Sequence, residues 1–428
     1  MLQRLLPLLV KIRERHPSAF YFLARIGKRF LGESLGVYPR LLANELGAVA
    51  DVLQSSQWNM AYGQGLVHER LEAEFAEATG TNHAVAVGSG GVALQMSLRA
   101  LGLKPGDEVI HQVDTCSATA MAVMNAGVTP VFADISDRTF MLDCSDVTTR
   151  IGPRTKALIA THMWGNPEDI SKLRELAQDR NLKLIEDACL GLGAIVDGRP
   201  AGSWGEVGIF SFGCLKPIQT GEGGMITTNN EALARELRSL RHWGDRTIEY
   251  GVRDATQLAW NGRMSEILAG IAREQLKGYP KHLQGLREAV SEFEVALRAI
   301  PGLSIVKGAT EMQSSSAFTQ VVLRIDEALL GLSKEALMTG LTANGIPNWH
   351  ANFELINSLS FFRTGGWRDW ILRGDLDRVA RNNEGRFPVA EQVLAQDGIG
   401  LNKTNFLSPG NQRHLESVLR KLAAKGHA

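Results

Sequence analysis

Three short segments carry side chains whose types and spacing could do chemistry. Gly88-Ser89-Gly90-Gly91-Val92-Ala93 fits G-x-G-x-x-A between an apolar run and a helical one. Such a turn points the first N–H groups of a helix at whatever lies in front, which suits a phosphate. A dinucleotide fingerprint or a plain tight turn would have the same form. The acids nearest the dinucleotide offset, Asp107 and Glu108, fall in a turn instead of ending a second strand. Leu184-Ile185-Glu186-Asp187-Ala188 closes an apolar strand on acids. Burying such a carboxylate is costly unless it is paired, and a protonated heterocycle nitrogen or a helix cap would serve. Ser211 to Gly224 sets Lys216 among apolar neighbours just before a glycine-rich turn. Desolvation there would favour the neutral amine that forms a Schiff base. An anion loop, a strand-end carboxylate and a nucleophilic lysine are together the contacts that pyridoxal 5′-phosphate requires.

Those residues need a scaffold that brings strand ends side by side. Leu71, Phe75 and Ala78 recur at helical spacing, and Gly80 is placed to end that helix. Ala84–Val87, Glu108–His111, Pro130–Asp134, Thr155–Thr161 and Lys183–Asp187 read as short strands. Val92–Leu101 and Ala118–Asn125 read as helices, and Asn166-Pro167 as the cap and first residue of another. This alternation predicts an α/β fold, a mixed, mostly parallel sheet sandwiched by helices, with ligands beyond the carboxyl ends of the strands. Beyond about residue 265 the pattern turns to helices, Ile267–Leu276 and Leu286–Ala299, and shorter strands such as Gln320–Ile325. The expected domains are a basic arm at 1–35, a large cofactor-binding domain at 36–265 and a smaller α+β domain at 266–428.

Composition narrows the partners. The 428 residues carry 46 Lys and Arg against 46 Asp and Glu, so no global positive field exists to hold nucleic acid. No apolar run approaches the ~18 residues of a membrane span. Cys116, Cys144, Cys189 and Cys214 form no C-x-x-C pair and read as reduced thiols of a cytoplasmic protein without a metal site. The evenness breaks at the amino terminus, where residues 1–31 hold seven basic side chains and one acid. With its apolar stripes this segment would suit an anionic membrane surface, or an arm packed on the body or on a neighbouring subunit. The packed arm is the expectation.

The chemistry-bearing segments resemble the DegT/DnrJ/EryC1/StrS family of sugar aminotransferases. S-F-x-x-x-K-x-x-x-x-G-E-G-G runs from Ser211 to Gly224, and Glu186-Asp187-Ala188 matches E-D-A. Asn261 to Glu266 matches N-x-R-M-S-E, His162 to Pro167 is similar to H-L-[YF]-G-x-P, and Asp137-Arg138-Thr139 with Asp143 fits D-x-x-T-x-x-x-D. The resemblance implies the type I aminotransferase fold, pyridoxal 5′-phosphate as cofactor, and a homodimer with shared active sites. It implies that Lys216 binds the cofactor and moves the proton, and that Asp187 pairs with the pyridine N–H. Ser211 and the amides of Gly90 and Gly91 would hold the phosphate, reached by Asn261 from the other subunit. Family dehydratases carry histidine where this chain has Lys216, which favours transamination. Arg241, His242 and His350 stand where substrate contacts are expected.

Three positions depart from the family pattern. Cys116 replaces the aromatic residue that stacks on the ring, Leu190 replaces a common Gln or His, and Gly91 replaces the Thr of S-G-T. The expected reaction passes an amino group from glutamate or glutamine to a keto-sugar, nucleotide-linked, or to a keto-cyclitol. Elimination or cyclisation by the same cofactor, or a non-enzymatic sensor on the same fold, are the alternatives. A nicotinamide oxidoreductase would leave Lys216 and Asp187 without a reason.

Overall fold

In a computed structural model, described for residues 44–58, 66–245, 254–309, 314–351, 355–371 and 376–426, the chain builds three sheets. Its strands are β1 (His83–Val87), β2 (Glu108–Gln112), β3 (Thr129–Ala133), β4 (Thr155–Thr161), β5 (Lys183–Asp187), β6 (Ile195–Val196) and β7 (Arg199–Pro200). They continue as β8 (Val207–Ser211), β9 (Gly224–Thr228), β10 (Leu303–Ile305), β11 (Ser314–Ser315), β12 (Gln320–Ile325), β13 (Asn348–His350) and β14 (Gly398–Asn402). The large sheet has the order β1-β9-β8-β5-β4-β2-β3. Only β9 runs against the others within it. This is the mixed, mostly parallel sheet that the alternating pattern predicts.

The strands are apolar runs, as a sheet covered on both faces demands. Ile159, Ile185, Ile209 and Ile226 enter the core on one face. Their neighbours Leu158 and Leu184 join a second core, and Phe210 and Met225 a third, on the other face. Register aligns the functional edge. Val87 and Ser211 both pair with Gly224, while Asp187 pairs with Thr161 and Ile209. The glycine loop, Asp187 and Ser211 therefore leave the sheet along one edge, at the carboxyl ends of the parallel strands.

Several local expectations change. The helix Leu66–Thr79 buries Ala76 instead of Ala78, and Gly80 ends it at φ +63°. Asn166-Pro167 starts no helix. The next helix is Ile170–Asp179, while Asn166 donates from Nδ2 to the Val306 carbonyl at 3.0 Å and Pro167 accepts from Ala309 N–H at 2.9 Å. The two helices expected beyond residue 265 are one, Glu266–Leu297, which runs through Pro280.

That helix spans both bodies of the fold. Ala269, Ala272 and Leu276 pack in the core of the large sheet, whereas Leu286, Val290 and Phe293 pack against the four-stranded sheet β10-β12-β14-β13. The chain then returns: Leu355, Phe362, Trp367 and Val379 join Ile110 and Phe132 in the first body's core. The basic arm at 1–35 lies outside the described residues. No helix among them is long and apolar enough to cross a membrane, and none of their His, Cys, Asp and Glu side chains cluster as a metal site.

Candidate active site

The glycine loop opens the helix Gly90–Ala100. Ser89 caps it, its Oγ accepting from Val92 N–H at 3.2 Å, so the amides of Gly90 and Gly91 face outward as first-turn donors. Two glycines are dictated by close approach. A Cβ on Gly90 would lie 2.9 Å from Ser211 Cβ and 3.2 Å from Cys189 Sγ. A Cβ on Gly224 would meet the Ser89 and Gly90 backbone at 2.7 and 2.8 Å. The absent side chains let Ser211 and the loop amides sit together, and first-turn amides suit an anion.

Asp187 is 8% exposed at the end of β5. Its Oδ1 accepts from Cys189 N–H at 3.2 Å and its Oδ2 from the Thr119 hydroxyl at 3.4 Å. Thr119 stands in the first turn of the helix Ser117–Asn125, for which Cys116 is the capping residue. Burial, and then the Asp187 carboxylate, push the Cys189 thiol far above its ordinary range, while Lys216 pulls it down. Cys189, Asp187 and Lys216 are therefore electrostatic neighbours, and Cys116, exposed, faces the same thiol. His111 lies behind Asp187. Burial drives its pKa down to about 4, so its imidazole is neutral at physiological pH.

The two glutamates of the motifs have structural work. Glu186 accepts from the amides of Gly202, Trp204 and Gly205 at 2.6–2.8 Å and lies 3.0 Å from His162 Nε2. Because Glu168 N–H donates to His162 Nδ1, the proton of a neutral His162 is on Nε2. Glu266 accepts the first amides of the Leu66–Thr79 helix, from Val67 at 3.0 Å and His68 at 3.1 Å.

The remaining predicted residues separate. Arg241 is 2% exposed, ion-paired to Glu72 at 2.5 Å and bonded to the Ala86 carbonyl at 2.9 Å. Its guanidinium is a buried cation spent on partners inside the fold, which does not fit the expected substrate contact. His242 bridges to Asn261, and its Nδ1 accepts from Arg263 Nη1 at 2.5 Å. Asn261 is exposed, next to the glycine loop, since Gly88 N–H donates to the Gly262 carbonyl at 2.8 Å. His350 stands exposed on β13 opposite Ile399. No described contact links it to the Lys216 loop. Thr119, Gln219 and Lys403 touch the site residues although no motif contains Thr119 or Lys403 and Gln219 fills an unspecified motif place.

A carboxylate at a parallel-strand end, a lysine loop and a helix-start anion cradle define a pyridoxal-phosphate aminotransferase site. The chain belongs to the DegT/DnrJ/EryC1/StrS aminotransferase family, whose model matches residues 39–365. It is 35% identical over 313 residues to a GDP-perosamine synthase of Caulobacter vibrioides, covering 72% of this chain and 82% of that one. It is 36% identical over 280 residues to a UDP-N-acetyl-3-dehydro-alpha-D-glucosamine 3-aminotransferase of Acidithiobacillus ferrooxidans, covering 65% and 72%. Among solved structures, an aminotransferase from Psychrobacter cryohalolentis superposes with a TM-score of 0.81 at 27% identity, covering 92% of this chain and 100% of that one. The protein is thus a pyridoxal 5′-phosphate-dependent aminotransferase of amino-sugar biosynthesis.

Proposed function

We propose that the enzyme takes an amino group from glutamate or glutamine and delivers it to a nucleotide-linked keto-sugar. The observation that carries this reading is that the Lys216 loop follows β8 at the same carboxyl edge of the sheet where Asp187 ends β5, with Cys189 close to both side chains. The named nucleotide-sugar relatives support the acceptor class. When bound, the cofactor supplies an aldehyde to receive the amino group and a ring that withdraws electrons from the substrate carbon.

The chain's residues supply the rest. Lys216 Nζ holds the cofactor between turnovers, then takes the proton from the donor carbon and returns one to the sugar carbon. Asp187, oriented by Thr119 and the Cys189 amide, keeps the ring nitrogen protonated. Ser211 and the amides of Gly90 and Gly91 would hold the cofactor's phosphate, and Cys116 would stand on the ring side of the site. Asn261, exposed on this chain, reaches the phosphate of a second copy, so the active sites of a homodimer are shared. His242 faces the acceptor beside that interface, and His350 is a substrate contact only if the second body closes over the site.

The proposal includes the division into an arm at 1–35, a cofactor-binding domain at 36–265 and a C-terminal domain at 266–428, the last lending Ala269, Leu276, Leu355 and Val379 to the cores of the first body. We place the enzyme in the cytoplasm, because charged nucleotide-sugars do not cross a bilayer unaided. Incubation with ¹⁵N-amine glutamate or ¹⁵N-amide glutamine and a panel of GDP-, UDP- and TDP-linked keto-sugars tests the reading. Label is expected in an amino-sugar product. A product formed without label would show elimination or cyclisation instead.

A further inference from the structure

The loop that carries Lys216 is held at its base and again at its middle. At the base, Gly213 bridges Gly221, Phe212 N–H donates to the Gly223 carbonyl at 2.9 Å, and Thr220 N–H donates to the Phe212 carbonyl at 2.9 Å. At the middle, the Lys216 carbonyl accepts from two buried side chains. Gln219 Nε2 lies at 3.1 Å and Lys403 Nζ at 3.5 Å. Around them the loop surface is open: Cys214, Leu215 and Glu222 are exposed.

Gln219 is local, but Lys403 arrives from 187 residues away. It starts the short turn Lys403–Phe406 that follows β14. That turn is fixed in the core of the second body. The Asn402 side chain accepts from Thr404 N–H at 2.9 Å, and Phe406 packs edge-on against Phe293 with ring centres 5.1 Å apart. A lysine only 6% exposed, with its ammonium at a carbonyl, has surrendered both its hydration and most of its rotamer freedom. Such a group makes an anchored strut, whereas an exposed lysine would not.

We propose that Gln219 and Lys403 are positioning residues for Lys216. They hold the main chain of the cofactor lysine from two sides, and Lys403 makes its placement depend on the docking of the four-stranded sheet. The idea rests on Lys216 being the cofactor lysine, as argued above. It goes further in assigning the control of that lysine to the second body of the fold.

Lysine reactivity in the full-length, cofactor-stripped protein reads this directly. Wild type, Lys403→Met, Lys403→Arg and Gln219→Leu are pulse-labelled with an acetylating reagent, and each lysine is followed by peptide mass. Lys334, wholly buried in the second body, reports unfolding. Freed from either donor, the loop opens more often, and Lys216 is expected to label about threefold faster or more with Lys334 unchanged. Lys403→Arg should restore the wild-type rate. Reloaded with pyridoxal phosphate, Lys403→Met should also lose its visible absorption on gel filtration faster than wild type. Wild-type labelling of Lys216 in both Lys403→Met and Gln219→Leu would overturn the proposal. So would acceleration of Lys216 and Lys334 together, which is unfolding. A wild-type protein that takes up no pyridoxal phosphate at Lys216 overturns the functional reading instead, and the labelling rates still judge the strut.

Discussion

Cys116 is where this site departs furthest from its family. The aromatic side chain expected against the ring is replaced by a small, exposed thiol on the helix whose Thr119 touches Asp187. Stacking of two rings contributes about 1 kcal/mol beyond area burial, so Cys116→Tyr should slow cofactor release about fivefold. Loss of visible absorbance during dialysis measures it, and an unchanged rate would place Cys116 off the ring face. Residues of this kind divide cleanly by legibility. Asp187, Lys216, Ser211 and the glycine loop are readable because local spacing carries them. Thr119 and Lys403 are not, because their only signal is a contact made across 68 and 187 residues of chain.

Among the elements, strands at Thr155–Thr161, Lys183–Asp187 and Gln320–Ile325 fall where apolar runs place them, since a doubly covered sheet writes its strands as unbroken hydrophobic blocks. The helix Glu266–Leu297 is misread as two because Pro280 normally ends a helix. Here Leu276, Tyr279 and Leu283 are buried on either side of the proline, and packing overrides the lost hydrogen bond. Asn166-Pro167 has the composition of a helix start, but the Val306 carbonyl and the Ala309 amide, some 140 residues on, claim both residues. Arg241 shows the same limit at the end of its helix. Burial alone would keep Glu72 protonated, yet Arg241 and Arg238 hold its carboxyl below the usual range. Arg241→Met would leave that carboxylate buried with one partner fewer and should cost about 3–5 kcal/mol. Urea unfolding checks this, and the KM for the acceptor in the folded enzyme should change little. A raised KM with full stability would return Arg241 to the cleft.

For the molecule as a whole, Glu168 ties stability to pH. It is buried beside His162, and burial, against the amides of Asp169 and Leu142, raises its pKa to about 8. A carboxyl whose folded pKa lies above its unfolded one stabilises fully below the unfolded value, near 4.5. That contribution is lost as pH rises through about 8. Stability by urea should thus fall by a few kcal/mol between about pH 5 and 8, and Glu168→Gln should flatten the slope. A wild-type profile without that fall would contradict the assignment.

Dimer sharing has its own signature. Lys216→Ala and Asn261→Ala, each inactive alone, should recover about a quarter of wild-type sites when subunits are randomly exchanged. No recovery would confine each site to one chain.

The account depends most on Lys216 as the residue that binds the cofactor and moves the proton. Borohydride reduction of the loaded enzyme, followed by peptide mass analysis, tests it directly. The account predicts one pyridoxyl-phosphate adduct per chain, on Lys216, and none in Lys216→Ala, whose kcat should fall by about a thousandfold or more. An adduct on another lysine, or a Lys216→Ala enzyme that keeps its band and turnover, would contradict it.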